Sequence, residues 1–336
     1  MIELDAENAI PFLRAHGWIG DGPAVAEVLS GGVSNQVIRI ITDDRLYVLK
    51  QSRPQLRVKD DWFSDTSRIY RELEVMQALE PLLPTGVVPK VLRTDYEQFA
   101  YLMSHAPLEA EPWKTRLLAG DINADMGMLA GRNLGEIHEA GATHADRFRA
   151  FADHAVYVQL RVDPFYRRVM ERRPEVAVHV GRIVEEMLAV KESLCHGDYT
   201  PKNMLMHAGG MTLVDYETAH FGDPTMDLGL FLAHLVLKAF RSPARYEQHE
   251  RLMRAFWSGY TDGVRYRRHA VLESRGAQHL GVCLLARIDG TSPVDYLPEE
   301  AKRDAVRRLG RAILRDGVST WNDVWDFCRR ETASFA

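Results

Sequence analysis

The segment His-Gly-Asp-Tyr-Thr-Pro-Lys-Asn, residues 196–203, sets the carboxylate of Asp198 five positions before the carboxamide of Asn203. Further on, Met211, Leu213 and Asp215 share strand parity, so an apolar strand is expected to end in a carboxylate on its buried-face side. The 17 residues from Asp198 to Asp215 leave room for a loop, a short strand, a turn at Gly209-Gly210 and a second strand. A hairpin of that size brings Asp198, Asn203 and Asp215 together at its open end. Oxygen side chains of this kind suit Mg2+, which keeps several waters and takes few protein ligands.

A second set of charges lies upstream. In Arg-Leu-Tyr-Val-Leu-Lys, Leu46, Val48 and Lys50 share one strand face, so Lys50 points where its apolar neighbours point. A helix is expected from about residue 65 or 66 to Leu79, with Asp65 as N-cap and an inward stripe of Ile69, Glu72, Met76 and Leu79. A carboxylate on that stripe calls for a cation, because an unpaired buried charge costs several kcal/mol. Either Lys50 and Glu72 pair between strand and helix, or Lys50 reaches the rim and Glu72 sits at the stripe's edge. Between the first two strands, Gly31, Gly32, Ser34 and Asn35 form a small-residue turn that exposes backbone N–H groups to an approaching phosphate. The same turn also reads as an ordinary Gly-Gly hairpin. It has no Gly-Lys-Ser/Thr ending, which excludes a Walker-type loop.

The elements that must hold these residues change character along the chain. Residues 25–50 read as three strands, and Val-Val-Pro-Lys-Val-Leu-Arg-Thr-Asp and Gln-Phe-Ala-Tyr-Leu-Met-Ser-His as two more. After Pro107 the apolar period becomes helical, apart from 195–217. Strands first and helices afterwards predict an α+β chain, with a small sheet lobe over 1–105 and a larger helical lobe over 106–336. At 336 residues and 46% hydrophobic the chain can bury cores of that size.

A net charge of −5 leaves no basic footprint, so nucleic acid is not an expected partner. The short arginine clusters at 167–168, 172–173, 267–268 and 307–308 read as solvated helix faces. Cys195, Cys283 and Cys328 show no metal spacing and fit a reduced compartment. The apolar run from Leu228 is too short to span a bilayer, and the first ten residues carry acids where a secretion leader carries bases. A cytoplasmic protein with no membrane partner is expected, and nothing in the chain specifies an oligomeric state.

His196, Asp198 and Asn203 match the pattern H-x-D-x-x-x-x-N, and Val-Asp-Tyr-Glu and Gly-Asp-Pro-Thr-Met-Asp-Leu-Gly follow in order. From the Gly31 loop to about His234 the chain resembles the aminoglycoside phosphotransferase/choline kinase-like group, relatives of protein kinases. The stretch from Tyr47 to Glu72, with its basic residue and Trp62 in an insertion, is similar to methylthioribose kinases. The core motifs depart from those kinases, with Asp-Tyr-Glu standing where they carry Asp-Pro-Glu.

The resemblance implies a two-lobed kinase-like fold and an ATP- and Mg2+-dependent transfer of phosphoryl to a hydroxyl of a small polar molecule. Candidate acceptors are a sugar such as a thioribose, an amino alcohol or an aminoglycoside. The alternative is a catalytically silent kinase-like binding protein, against which stand the retained base, metal ligands and lysine. By the same resemblance Asp198 orients or deprotonates the hydroxyl, and Asn203 and Asp215 hold Mg2+ with help from Glu217. Lys50, held by Glu72, contacts the α/β-phosphates; Met103 lines the adenine pocket and the backbone of Ser104 to Ala106 bonds the base. Asp227 braces the catalytic loop and His196 packs within it, while His138 and His234 read as core or helix-face residues. Lys202 either approaches the transferred phosphoryl or faces water. For the acceptor, the resemblance points to the helical lobe, where Arg287 and Asp289 flank a helix break that also reads as a solvated turn. Trp62 is a further candidate.

Overall fold

A computed structural model of the chain describes residues 2–29, 35–53, 66 and 68–335. The chain divides into two compact units: Met1–Ala110 with Thr212–Glu217, and Glu111–Met211 with Thr218–Ala336. The first unit is built on an antiparallel sheet of β1 (Ala24–Val28), β2 (Asn35–Thr42), β3 (Leu46–Ser52), β4 (Val91–Asp95) and β5 (Ala100–Ser104), in the order β1-β2-β3-β5-β4. Ile38, Ile40, Leu49 and Leu102 turn one face toward Phe12 and Leu13 of the short helix Ala9–Ala15. The alternate positions of β3 include Val48 and Lys50, both buried. The helix Arg68–Leu79 buries Ile69, Glu72, Met76 and Leu79 and leaves Glu74 exposed, as the stripe predicts.

Sequence parity at the second carboxylate motif does not survive. The strand Gly210–Leu213 stops two residues early, and Asp215 takes a left-handed φ of 74°. That conformation is uncommon for a side chain other than glycine, so the kink rather than strand alternation aims the carboxylate. Three bonds tie this stretch to the first unit: Leu213 N donates to Val87 O (2.7 Å), Thr212 Oγ1 to Gly86 O (2.8 Å) and Tyr216 N to Glu72 Oε1 (3.1 Å). Residues 212–217 are thus bonded to the loop and the helix of the first unit.

In the second unit, the helices Ala124–Thr143 and Tyr246–Gly263 meet backbone to backbone. Gly127, Gly131 and Gly135 recur every fourth residue, facing the carbonyls of Leu252, Phe256 and Tyr260. A Cβ on Gly131 would lie 1.9 Å from the Phe256 oxygen. Gly131→Ala is expected to lower stability by about 1–3 kcal/mol through overpacking, against the ~1 kcal/mol that alanine gains over glycine in an open helix. Urea denaturation checks the sign.

The helix Thr225–Arg241 buries every residue except His234 and Arg241, as leucines and phenylalanines on all sides require. Among the described residues no helix is long and apolar enough to cross a membrane. Two short strands, Ser193–Cys195 and His220–Gly222, pair antiparallel and flank the catalytic-motif segment.

Candidate active site

In the first unit, Lys50 Nζ lies 2.8 Å from Glu72 Oε1 and 3.2 Å from Asp215 Oδ1. The strand–helix pair is therefore formed, and neither partner reaches the rim; their side chains are 6% and 1% exposed. Burial works against the charge on Lys50, but Glu72, Asp215 and Glu217 outweigh it and raise its pKa, so the ammonium stays protonated. The side chain of Asp215 is 25% exposed, the most open member of the group.

Glu217 Oε2 accepts from Asn35 Nδ2 (3.0 Å) and from Arg68 Nε (3.2 Å). Arg68 is itself buried, so this carboxylate balances an interior guanidinium, a bond the sequence reading missed. At the end of β5, Met103 is buried. Ser104 N donates to Lys90 O (2.9 Å) and Ser104 Oγ accepts from Lys90 N (2.9 Å), so the Ser104 amide is spent inside the sheet. The Ala106 carbonyl bonds the His105 ring. Gly31, Gly32, Ser34, Trp62 and the expected cap Asp65 lie outside the described residues.

In the second unit, Asp198 Oδ2 gathers three donors: Arg161 Nη2 at 2.8 Å, Lys202 Nζ at 3.0 Å and Asn203 Nδ2 at 2.9 Å. Asn203 Nδ2 also donates to Asp198 O (2.9 Å), so the motif's two ends are tied together and the opposite edge of the carboxamide is its oxygen. Lys202 turns to Asp198 even though its side chain is 53% exposed. Arg161 is the residue the sequence missed. It comes from a π-helix, Val158–Arg167, with Pro164 inside, and no spacing rule links it to a partner 37 positions later.

The loop is braced from beneath. Asp227, with no exposed surface, accepts from His196 N (2.7 Å) and Gly197 N (2.9 Å), and its Oδ2 meets His138 Nε2 at 3.3 Å. Gly197 has φ +79°, and a Cβ there would lie 2.4 Å from Thr218 O. His196 Nδ1 accepts from Asp198 N (3.3 Å), a packing role within the loop. His138 also bonds Tyr260 Oη (2.9 Å) and so belongs to the same buried support.

Of the two acceptor-site candidates at the helix break, Asp289 is drawn into structure. Arg173 Nη2 (2.6 Å) and Arg307 Nη2 (2.9 Å) hold its two oxygens, with further bonds from both guanidiniums. Arg307 is also mostly buried in this network, so that arginine cluster is more than a solvated face. The Arg287 side chain, by contrast, is hydrogen-bonded among the described residues to Ser292, through that residue's backbone oxygen and its Oγ (3.1 Å).

A five-stranded sheet with a buried Lys–Glu pair, followed by helices carrying a braced His-x-Asp-x4-Asn loop, is the two-lobed α+β fold of protein-kinase-like phosphotransferases. The chain belongs to the phosphotransferase enzyme family (APH), whose pattern matches residues 25–269. It is similar to a methylthioribose kinase of Exiguobacterium sibiricum, 25% identical over 96% of both chains. It is also similar to a 4-hydroxytryptamine kinase of Psilocybe cyanescens, 24% identical over 69% of this chain and 73% of that one. Solved structures of the same fold include amicoumacin kinase with AMP-PNP and Ca2+ (TM-score 0.57, 12% identity, 94% and 95% coverage). Another is a choline/ethanolamine kinase family protein of Mesorhizobium loti (TM-score 0.50, 21% identity, 96% of each chain). This protein is thus a phosphotransferase of a family of small-molecule kinases.

Proposed function

We propose that the protein transfers the γ-phosphoryl group of ATP, with Mg2+, to a hydroxyl of a small polar metabolite. The observation that carries this reading is Lys50, buried, protonated and held between Glu72 and Asp215. An interior ammonium fixed by two carboxylates is poised to exchange one of them for a phosphate oxygen at little reorganisation cost. Asp198 is the group that accepts the hydroxyl proton as the acceptor oxygen bonds to phosphorus and the β–γ bridging bond breaks, releasing ADP. Arg161 and Asn203 hold the carboxylate in one orientation for that step.

The donor chemistry fits a hard cation: Asp215 presents a partly open carboxylate, and Asn203 turns its amide nitrogen to Asp198 and keeps its oxygen for another partner. When bound, Mg2+ would neutralise charge on the nucleotide phosphates. Glu217, engaged by Arg68 and Asn35, supports the Asp215 segment. Gly31, Gly32, Ser34 and Asn35 are the proposed phosphate loop; the adenine contact falls to Met103 and to the Ser104–Ala106 backbone groups other than the Ser104 amide and the Ala106 carbonyl, which are already bonded.

Lys50→Met is the test. Removing a charged hydrogen bond to phosphate is expected to weaken ATP binding about 10–100-fold by calorimetry. Absence of nucleotide binding by the unaltered protein, or equal binding by the variant, overturns the reading.

A further inference from the structure

Within the helical unit, four cations from three elements gather about Tyr296, a half-buried tyrosine whose hydroxyl is buried, and none of them forms an ion pair among the described residues. Lys238, 2% exposed on the helix Thr225–Arg241, makes one side-chain hydrogen bond among the described residues, to its own turn's His234 O at 3.1 Å. Its Nζ stands 5.2 Å from the centre of the Tyr296 ring, and Lys114 Nζ stands 5.9 Å from the same ring. Arg287 reaches the group from the end of the helix His269–Asp289, and Arg241 from the last turn of Lys238's helix. Among the described residues none of Lys114, Lys238, Arg241 and Arg287 has a carboxylate within 4 Å, in a protein where most arginines do. Two polar atoms here are also buried without a hydrogen-bond partner, Arg287 Nε and Tyr296 Oη.

The nearby acids leave Lys238 uncompensated: Glu299 acts on Arg241 at the edge of the group and is itself paired with Lys302. Asp295 is exposed and acts on Tyr296. Asp198 lies within electrostatic reach of Arg287 but already holds Arg161 and Lys202. That last link puts the cluster within electrostatic reach of the carboxylate assigned to the acceptor hydroxyl. A buried ammonium with no counter-charge costs several kcal/mol, and two orphaned donors add to that cost. Burial first, then repulsion from Lys114, Arg287 and Arg241, depresses the Lys238 pKa to about 7. An anion entering the group would restore the full charge of Lys238 and partner the two orphaned donors.

We propose that Lys114, Lys238, Arg287 and Tyr296 form the acceptor's anion subsite, so that the phosphorylated metabolite is an alcohol that also carries a carboxylate or phosphate. The anion would supply the missing counter-charge to Lys238 and accept from Arg287 Nε and Tyr296 Oη. Its hydroxyl is then offered to Asp198. Cationic acceptors, including amines without an acid group, meet like charge here and are disfavoured. The inference rests on the kinase reading above and narrows it.

Matched acceptors test it by ADP release: glycerate, glycerol 3-phosphate, glycerol and ethanolamine as one set, and gluconate, glucose and glucosamine as the other. Thermal stabilisation by each compound is read in parallel, so that binding is scored even where turnover is slow. The acid members are expected to act at concentrations at least 10-fold below their neutral and cationic partners. Lys238→Met and, separately, Tyr296→Phe should reduce that preference, the first to less than 3-fold. Whether carboxylate or phosphate serves is decided by the glycerate and glycerol 3-phosphate arms. An equal response within each set, preference for an amine, or a preference unchanged in Lys238→Met overturns the proposal. Calorimetry of ATP with the unaltered protein separates the two levels: ATP binding without acid preference defeats only the subsite, and no ATP binding defeats the kinase reading.

Discussion

Asp198→Asn is expected to cut phosphoryl transfer about 10³-fold, within the range that a positioned base contributes. The carboxylate does two things that an amide cannot. It accepts a proton from the attacking hydroxyl, and its charge balances Arg161 at 2.8 Å and Lys202 at 3.0 Å. An asparagine of the same shape can turn its carbonyl oxygen to those cations and the Asn203 amide, but that oxygen carries no charge to balance the two cations and is too weak a base to take the hydroxyl proton. The loop itself should persist, because the bonds that set its path run from His196 N and Gly197 N to Asp227 and leave the Asp198 side chain out. The expected result is therefore near-complete loss of turnover with ATP affinity retained within a few-fold. ADP release with a responsive acceptor measures the first and calorimetry the second. A variant keeping a tenth of the activity would remove Asp198 from the reacting centre.

The parts of this site that could be read from the sequence are those in which one element carries its own pattern. The stripe Ile69, Glu72, Met76, Leu79 announces a buried carboxylate, and strand alternation puts Lys50 on an inner face; the 2.8 Å pair joins two local deductions. The Asp198–Asn203 spacing is likewise local, and its internal bond closes over five residues. Parity failed at Asp215 because it presumes that the strand continues. The left-handed turn there is set by bonds to Val87, Gly86 and Glu72, residues remote in sequence. Arg161 and Arg68 were invisible for the same reason, since each is defined by a carboxylate on a distant element. Asp289 looked like a loop acid and is a half-buried junction for two arginines, one 116 positions away. The subsite around Lys238 is the hardest case. Its sign is that, among the described residues, cations from a short helix, a core helix and a helix end meet a loop tyrosine without forming an ion pair, and no window of sequence displays that.

Asp227→Ala is expected to lower the stability of the helical unit by about 3–5 kcal/mol, the cost of breaking a buried charged network by removing one partner. Asp227 has no exposed surface, and its removal orphans His196 N, Gly197 N and one nitrogen of His138 at once. For a unit of this size each kcal/mol moves the melting temperature by roughly 2–4 °C, so a fall on the order of 10 °C is predicted. The pH dependence gives the loss a signature. Burial pushes the Asp227 carboxyl up, but the bond and proximity of His138, then His196, hold its pKa below the usual 3.8. A carboxyl depressed in the folded state adds stability above its unfolded pKa and loses it as pH falls through the folded value. The gap between the unaltered protein and the variant should thus be full at neutral pH and begin to close only below about pH 4. Turnover should fall with it, because Gly197 keeps its left-handed turn and Asp198 its position through the same two backbone bonds. Thermal melts across pH 3–8 measure this; a shift under 2 °C at neutral pH would mean that the catalytic loop carries its own shape and Asp227 is not its brace.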